Sequence, residues 1–549
     1  MSDVDFGFDE NEPVAPISSP SLNPSQSRAG EAHKKRDGET REAAQRVAAA
    51  SSVSSDTTPP RSRYIRTGQP DRDRQAVVAM SSDVRDGGLG AAAPMTELGN
   101  SLRLNQKHGR DLRFVSDAGK DCWLVWDNGR WIWDKGGARV KGFAAALHRD
   151  IYAESRNIQE YAQVESVIKW ARKSQDKRTI ENSAALLSLV PSIRVGIEEI
   201  DANPLLVGFD GGRRVVDLRT GKQRPADHGD LVTKALGITH IGHAENAVAW
   251  RRFLDQVIIG ADGATDRELQ DWLQRFIGYC LTGSTAAQIV AFFYGGGANG
   301  KSVLLSVLTA LFGDYCRTVQ PETFMAQQRN AGGPSPDLAV LPGARLVVAN
   351  ETEGGAHLSE SLIKQMSGGD RLTARALHSD PFEFVPNFKI VMVGNAKPII
   401  RGTDNGIWRR MRIVFFRARF DGQSRDDGLT GKLLRELPDI AAWAIDGAMA
   451  WQQKGLADVP RQVREATDEY RSEMDIIGQW VNEQCEQDAD AVISASEAYG
   501  SYTVWSNNSG MRPVSKPAFG RQLTERGTAK FRRGAGIFYR GLRLLMTGQ

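Results

Sequence analysis

The stretch FFYGGGANGKSVLLSVLTALF, residues 292–312, places three consecutive glycines, an Asn-Gly pair and a Lys-Ser pair between two apolar runs. From Gly295 to Ser302 it fits the pattern G-x-x-x-x-G-K-[ST]. The preceding run, QIVAFFY (288–294), predicts a buried strand, and the following run, VLLSVLTALFG (303–313), predicts an apolar helix. The sequence therefore predicts a strand, a glycine-rich loop and a helix in direct succession, as in an α/β nucleotide-binding core.

A loop of this kind at a helix N-terminus is suited to binding phosphate, because unpaired N–H groups face the ligand and glycines let the backbone approach closely. The Lys301 ammonium would neutralise the β- and γ-phosphates of a nucleotide, and the Ser302 hydroxyl would bind Mg²⁺. We therefore expect ATP and Mg²⁺ as cofactors. The predicted cofactor-binding residues are Gly295, Gly296, Gly297, Ala298, Asn299, Gly300, Lys301 and Ser302.

A nucleoside triphosphatase also needs a carboxylate at the end of a second strand, to hold the metal shell and polarise water. In ARLVVANETEGG (344–355) the predicted strand 346–349 is followed by Glu351 and Glu353. Both are predicted catalytic acids, and Glu351 is a predicted metal ligand together with Ser302. Spacing does not decide which glutamate has which role, and a solvated acidic turn is the structural alternative.

Two further segments carry candidate catalytic side chains. The strand predicted in FKIVMVGN (388–395) ends in Asn395, a residue type that can orient the attacking water, although it is also common in turns. In RGTDNGIWRRMRIVFF (401–416), Arg409 and Arg410 precede another apolar strand. Arginine clusters are usually surface charge, but a ring-forming ATPase needs an arginine that reaches the γ-phosphate of the neighbouring subunit.

Composition excludes few functions. The 70 Lys and Arg residues and 67 Asp and Glu residues almost cancel, so a basic surface must arise by local clustering. The four cysteines form no C-x-x-C pair, which predicts buried thiols in a reducing compartment. The acidic start and the lack of a long apolar run predict a soluble, intracellular protein without membrane contact.

The order of these motifs resembles that of the superfamily 3 helicases, within them the poxvirus and phage or plasmid primase-helicase type. The resemblance is dense over residues 290–416 and weaker over 97–240, where WLVWDNGRWIWD and NPLLVGFDGGRRVVDLRTG are similar to the pre-helicase region. It implies an α/β, AAA+-like P-loop NTPase core that assembles as a homo-hexamer and moves on single-stranded DNA by hydrolysing ATP. By resemblance, Lys301 and Ser302 are the Walker A pair, Asn395 the sensor and Arg409 or Arg410 the finger, and Glu351 with Glu353 supply the Walker B acids.

Composition, residue patterns and the resemblance together predict a domain order. It comprises a disordered tail (1–94), an α+β pre-helicase domain (95–240), the helicase core (241–430), a helical extension (431–482) and a winged-helix-like DNA-binding domain (483–549). The tail prediction rests on its Ser-, Pro- and Arg-rich composition, which buries too little apolar surface to order itself.

Two regions are candidates for DNA contact. Residues 362–384 match the family segment expected to carry a hairpin in the ring channel, where Arg371, Arg375 and His378 could contact phosphates. Residues 514–544 are predicted to form a helix and a two-stranded hairpin, rich in Lys and Arg, in which Arg532 and Arg533 are predicted to bind DNA. Merely solvated charge is the alternative reading of both regions.

Three functions are compatible with this sequence. The first is a replicative DNA helicase of a phage, prophage or plasmid, acting on single-stranded and forked DNA, with possible replication or loading proteins as partners. By the resemblance it would work in the cytoplasm of a bacterial host cell. The second is a primase-helicase with an unrecognised priming site, since the only early D-x-D candidates, 3–5 and 71–73, lie in the predicted tail. The third is an ATP-controlled, DNA-binding initiator that does not unwind DNA.

Overall fold

The computed structural model describes residues 93–116, 122–327, 333–350, 355–377, 380–402, 405–422 and 425–545. All but the last two residues of the predicted tail lie outside this range. The same holds for Glu351, Glu353 and His378.

The first described region is a small α+β unit. Its helices are α1 (Glu97–His108), α2 (Ala138–Ala146), α3 (His148–Glu154), α4 (Tyr161–Lys173) and α5 (Lys177–Leu187). Its strands, in the sheet order β3-β2-β1-β4, are β1 (Leu112–Val115), β2 (Cys122–Asp127), β3 (Arg130–Lys135) and β4 (Arg194–Val195). Asn128 and Gly129 connect β2 to β3 with φ of 50° and 82°, as a two-residue type I′ turn requires, so the predicted hairpin is confirmed.

An antiparallel meander follows, made of β5 (Leu206–Phe209), β6 (Arg214–Asp217) and β7 (Gln223–Pro225). The predicted short strands in this segment are confirmed. Val207 and Val216 are fully buried in the same hydrophobic cluster as Leu304 and Leu308, which belong to the helix after the glycine loop. The meander therefore shares its core with the segment that follows it, while the domain boundary at residue 240 stays a prediction.

One buried cation, Arg345, reinforces this connection, and a second, Lys389, lies within the segment that follows the meander. The guanidinium of Arg345, 4% exposed, donates to the carbonyl of Leu206 in the meander at 2.8 Å and to that of Leu281 at 2.6 Å. The ammonium of Lys389, 2% exposed, donates to the carbonyl oxygens of Thr282 and Ser284, and burial lowers its pKa to about 7. Carbonyl acceptors offset the cost of burying these charges.

The central unit is a parallel sheet with helices on both faces. Its strands are β8 (Val290–Tyr294), β9 (Cys316–Val319), β10 (Leu346–Asn350), β13 (Lys389–Gly394) and β14 (Met411–Phe415), in the order β14-β8-β13-β10-β9. Its helices are α6 (Val248–Val257), α7 (Arg267–Leu281), α8 (Lys301–Phe312), α9 (Pro336–Ala339), α10 (Glu360–Gly368) and α11 (Asn405–Trp408). Strands β11 (Leu372–Ala374) and β12 (Phe382–Phe384) form a separate antiparallel hairpin.

Strand β8 shows why these runs read as continuously apolar. Ala291 and Phe293 face the cluster that contains α8, whereas Val290 and Phe292 face the opposite cluster. A parallel sheet covered on both faces buries consecutive side chains, so the polar alternation of a half-exposed strand is absent. The predicted α/β core with a parallel sheet is confirmed.

The last region is mainly helical and ends in a small sheet. It comprises α12 (Leu429–Arg435), α13 (Leu437–Lys454), α14 (Arg461–Met474), α15 (Ile476–Gln484), β15 (Cys485–Ser494), α16 (Ala495–Asn508), α17 (Lys516–Glu525), β16 (Ala529–Arg533) and β17 (Gly536–Leu544). The predicted C-terminal helix and hairpin are confirmed. Strand β15, which pairs with β17, was not predicted because CEQDADAVIS is mostly polar and exposed.

Two sequence expectations concern the surface and the thiols. No helix within the described ranges has the length and apolarity that crossing a bilayer would require.

Cys280, Cys316 and Cys485 are buried free thiols, as predicted, and Cys122 is half-buried. Burial raises the pKa of Cys280 to about 12 and that of Cys316 to about 11.

Candidate nucleotide-binding site

The glycine loop, residues 295–300, lies at the carboxyl end of β8 and leads directly into α8. Strand β8 is internal to the sheet, with β14 on one side and β13 on the other. After β8 the chain runs to β9 at one edge of the sheet, whereas β14 lies on the other side of β8. This change of direction leaves a crevice at the carboxyl ends of the strands, where open α/β sheets bind ligands.

The glycines of the loop fall into two classes. Gly300 has φ +87°, and a Cβ on it would lie 2.5 Å from Cγ1 of Val257. Gly295 has φ +148°, and a Cβ there would lie 2.6 Å from the carbonyl oxygen of Phe416. Gly296 and Gly297 are exposed and would bring a Cβ within 4 Å of nothing. The first pair is required for the loop to pack, whereas the second pair keeps a concave surface open.

The ammonium of Lys301 points back into the loop. Its Nζ donates to the carbonyl oxygens of Gly295 at 2.6 Å and Gly296 at 3.1 Å, and to Oδ1 of Asn299 and of Asn395, each at 3.1 Å. Lys301 is 5% exposed, and burial lowers its pKa to about 8. The side chain is therefore charged at neutral pH and held by four acceptors at the mouth of the loop.

Asn395 reaches this site because of the strand order. Gly394, the last residue of β13, lies opposite Tyr294, the last residue of β8, so the residues that follow each strand are neighbours. Asn395 is exposed apart from its contact with Lys301. The structure thus brings together two residues that the sequence places 94 positions apart.

The loop is also anchored to the segment after β14. Nδ2 of Asn299 donates to the carbonyl oxygen of Phe416 at 3.3 Å, and the Phe420 N–H donates to the carbonyl oxygen of Ala298 at 2.7 Å. Ala298 itself has φ 57°. Ser302 is exposed at the first turn of α8, where its hydroxyl is accessible from solvent. The roles of Ser302 in metal binding and of the other loop residues in nucleotide binding stay predictions.

The predicted acids belong to the next strand of the sheet. Strand β10 pairs with β13 and ends with Asn350 opposite Val393, so its carboxyl end lies level with that of β13. Glu351 and Glu353 follow directly but lie outside the described residues. Their roles in metal binding and water activation stay predictions.

Comparison with known proteins now adds to this geometry. Residues 101–259 match the family described as "D5 N terminal like". Residues 293–410 match a family described only as being of unknown function (DUF5906). The chain is 25% identical over 402 residues to "Putative helicase L207/L206" of Acanthamoeba polyphaga mimivirus, which covers 68% of this chain and 40% of that protein.

Other viral relatives carry related names. "Putative helicase 022R" of Frog virus 3 is 28% identical over 255 residues, 43% of this chain and 26% of that protein. "Putative primase C962R" of African swine fever virus (strain Badajoz 1971 Vero-adapted) is 22% identical over 331 residues, 57% of this chain and 34% of that protein. The chain is similar to viral proteins named as helicases or primases, and part of it matches the D5 N terminal like family. It spans between 26% and 40% of the length of these three relatives.

Among solved structures, the C terminal region of NrS-1 (305–718) aligns with 81% of this chain and 99% of its own length, with 11% identity and a TM-score of 0.41. The expectation of a phage, prophage or plasmid origin stays a prediction, since the relatives named here are viral proteins.

The two candidate finger arginines differ in exposure. Arg410 is 7% exposed, and its guanidinium donates to Oγ of Ser367 at 3.1 Å and to the carbonyl oxygen of Gly406 at 2.6 Å. Arg409 is exposed, with Nη2 3.4 Å from Oε1 of Gln288. Only Arg409 therefore presents its side chain to solvent.

The candidate DNA-binding residues lie far from the loop in the chain. Arg371 is exposed before β11, and the half-buried Arg375 follows β11, so the two flank one strand of the predicted hairpin, which the structure confirms. His378 lies outside the described residues. Arg532 and Arg533 are exposed at the end of β16.

The sequence interpretation missed Lys397, two residues after Asn395. Its Nζ bonds both carboxylate oxygens of Glu473 at 2.8 Å and lies over the rings of Tyr294, at 5.1 Å, and Tyr470, at 5.4 Å. Lys397, Tyr294 and Glu473 border a pocket of about 390 Å³ between the sheet and α14. Lys397 thereby ties the segment that carries Asn395 to α14. A lysine just after a candidate sensor was the available signal, but its partner is a tertiary neighbour.

Proposed function

We propose that this chain is an ATP-dependent DNA helicase that assembles as a ring and moves on single-stranded DNA. The observation that carries the proposal is the position of Lys301, whose buried ammonium lies at the carboxyl end of a central parallel strand and contacts Asn395 of the adjacent strand. Names of the viral relatives support an action on DNA.

The loop has the chemistry of a triphosphate site. Three of the four acceptors of Lys301 belong to the loop itself, namely the carbonyl oxygens of Gly295 and Gly296 and the amide of Asn299. Such neutral acceptors are weaker partners for an ammonium than phosphate oxygens are. The open surface at Gly296 and Gly297, next to the N-terminus of α8, provides backbone N–H groups and space for an anion.

Each residue of the site would have its own role in ATP binding and hydrolysis. ATP with Mg²⁺, when bound, supplies the phosphoanhydride whose hydrolysis drives movement. Lys301 would neutralise phosphate charge, and the exposed hydroxyl of Ser302 would hold the metal. Asn395, whose Oδ1 is fixed by Lys301, would orient the attacking water, and Glu351 or Glu353 would polarise it.

Arg409 supports the ring assembly. Strands β8 and β14 are parallel and five residues long, and Arg409 lies before β14, whereas the loop follows β8. Four steps along such a strand span roughly 13 Å. Arg409 is therefore at the opposite edge of the sheet from its own loop, and we assign it to the γ-phosphate of a neighbouring copy, as in an AAA+-like ring.

The C-terminal region supports DNA binding. Helices α15, α16 and α17 and the three-stranded sheet of β15, β16 and β17 follow one another in the order helix, strand, helix, helix, strand, strand. This order is consistent with a winged-helix-like unit whose hairpin carries Arg532 and Arg533. The channel contacts of Arg371, Arg375 and His378 remain part of the same proposal.

The decisive experiment is strand displacement on a forked DNA duplex with ATP and Mg²⁺. Wild type is expected to unwind the fork and Lys301→Ala to fail, whereas Lys177→Ala, which changes a lysine side chain that is 89% exposed, should behave as wild type. If wild type binds the fork but neither hydrolyses ATP nor unwinds it, the helicase proposal is wrong. ATP binding without unwinding would instead favour the initiator function.

The ring is tested by mixing variants. Lys301→Ala and Arg409→Ala should each be nearly inactive as ATPases alone. An equimolar mixture should regain a fraction of the wild-type rate, because some junctions pair an intact loop with an intact arginine. Additive, unrescued activities would refute the assignment of Arg409 to a neighbouring site.

A further inference from the structure

The outer side of the C-terminal sheet carries two phenylalanines that the core of this unit does not use. Phe531 of β16 pairs with Phe538 of β17, and their rings stack at 5.9 Å and 28°. The neighbouring Tyr539 faces inward and is 3% exposed within the hydrophobic cluster of this unit. As far as the described residues go, neither phenylalanine belongs to that cluster or to the side chains packed against it.

The surroundings of the two rings combine apolar surface with positive charge. Arg540 lies on the same side of the sheet, with its guanidinium 5.4 Å above the Phe531 ring. Val492 pairs with Arg540 and is 46% exposed. We call the surface formed by Phe531, Phe538, Arg540 and Val492 the aromatic sheet face.

The segment that carries the two rings is strongly basic, whereas β15 of the same sheet adds Glu486, Asp488 and Asp490. Residues 514–545 contain eight Lys and Arg residues and one acidic residue, Glu525. Two of the eight are paired, Arg526 with Asp475 and Arg543 with Asp488. Arg533 lies on the same side of the sheet as Phe531, whereas Lys530 and Arg532 pair with the inward Tyr539 and Ile537 and lie on the other side. Within the described part of the chain, the exposed Arg533 and Arg540 have no carboxylate within 4.0 Å.

We propose that the aromatic sheet face binds single-stranded DNA, with one or two bases stacked on Phe531 and Phe538 and with the nearby cations on the phosphates. Aromatic rings bind bases through their π-faces, which a duplex keeps covered by its own stacking, whereas unpaired strands offer them. The charge complements a phosphate backbone. This inference rests on DNA being the partner, as in the proposed function, and it assigns the hairpin to the separated strand.

Photo-crosslinking tests the contact directly. The full chain is irradiated with an oligodeoxythymidine strand that contains 5-iodouracil, and the adducts are mapped by mass spectrometry. Adducts on Phe531 or Phe538 are expected with the single strand and not with the same sequence in a duplex. If all adducts map elsewhere in the chain, the inference is overturned.

Equilibrium binding measures how much the two rings contribute to the affinity for single-stranded DNA. The double variant Phe531→Ala, Phe538→Ala should weaken single-strand binding by about 5- to 150-fold, with duplex binding and the salt dependence unchanged. Arg533→Ala with Arg540→Ala, which removes two cations on the side of the rings, should instead reduce the salt slope by about 1.4. Val504→Ala, at a 62% exposed site in α16, is the matched control and should change neither.

Equal weakening toward single strand and duplex, or no weakening of single-strand binding, would contradict base stacking. Because the two rings lie outside the hydrophobic cluster, the thermal midpoint of the double variant should match that of wild type. Should it fall, Phe531→Leu with Phe538→Leu keeps the apolar volume, removes the π-faces and gives the same binding test. Lys301→Ala should retain the adducts, so a failure of the motor and a failure of this surface are distinguishable.

Discussion

Replacing two glycines of one loop, one at a time, should separate folding from ligand binding. In Gly300→Ala the new Cβ meets Val257 Cγ1 at 2.5 Å, and alanine must adopt φ +87°. The left-handed backbone costs about 1–2 kcal/mol and the overpacking about 1–3 kcal/mol, so we expect a loss of about 2–5 kcal/mol. In Gly297→Ala the Cβ meets nothing, so stability should change by less than about 0.5 kcal/mol.

Gly297→Ala should weaken nucleotide binding although it leaves stability unchanged. Its Cβ would protrude into the open surface that we assign to phosphate, and overpacking there should weaken ATP binding by about 1–3 kcal/mol, roughly 5- to 150-fold. The assays are thermal unfolding and titration with a fluorescent ATP analogue in the presence of Mg²⁺. For Gly300→Ala the midpoint of the central unit should fall by roughly 5–15 °C.

Two results would refute this reasoning. If Gly297→Ala binds ATP as tightly as wild type, the open surface is not where phosphate binds. If Gly300→Ala unfolds at the wild-type temperature, the contact with Val257 does not constrain the loop. Gly263→Ala is a useful comparison, because its φ is +79° with nothing within 4 Å, so it isolates the backbone cost from the steric one.

The other predictions concern charge at the site. The pKa of Lys301 is lowered to about 8 in the free protein, and a bound anionic phosphate would raise it. ATP affinity should therefore fall by up to tenfold per pH unit as the pH rises above about 8, in nucleotide titrations between pH 7 and 9.5. Lys301→Arg should bind ATP more weakly but without this pH dependence. Arg410→Ala removes two hydrogen bonds made by a buried guanidinium and should lower unfolding stability by about 1–3 kcal/mol. Arg409→Ala should leave thermal unfolding unchanged and reduce ATPase activity, and the reverse pattern would contradict our assignment. Lys397→Met and Glu473→Gln should each lower kcat for ATP hydrolysis by roughly fivefold with KM unchanged, because their ion pair restrains the segment that carries Asn395 and is worth about 1 kcal/mol. A change in KM alone would exclude this positioning role.

Local chemistry determined much of this protein. The apolar run of β8, the glycines and the apolar run of α8 are each legible in the sequence, because strand burial, turn geometry and helix propensity act over a few residues. The β2–β3 hairpin was predictable for the same reason, since Asn128-Gly129 fits a two-residue turn with positive φ at both positions. The C-terminal helix and hairpin followed from similar signals.

Only the tertiary structure decided which residues meet. Asn395 contacts Lys301 because β13 is inserted next to β8, and no local signal specifies that order. The adjacent arginines differ in burial, because Arg410 turns inward to Ser367 while Arg409 remains in solvent. Strand β15 has too few apolar residues to be recognised and exists because β17 offers it a hydrogen-bonding edge. Sequence fixes short-range conformation through each residue's own chemistry, whereas strand order, burial and long-range pairing depend on the free energy of the whole packed chain.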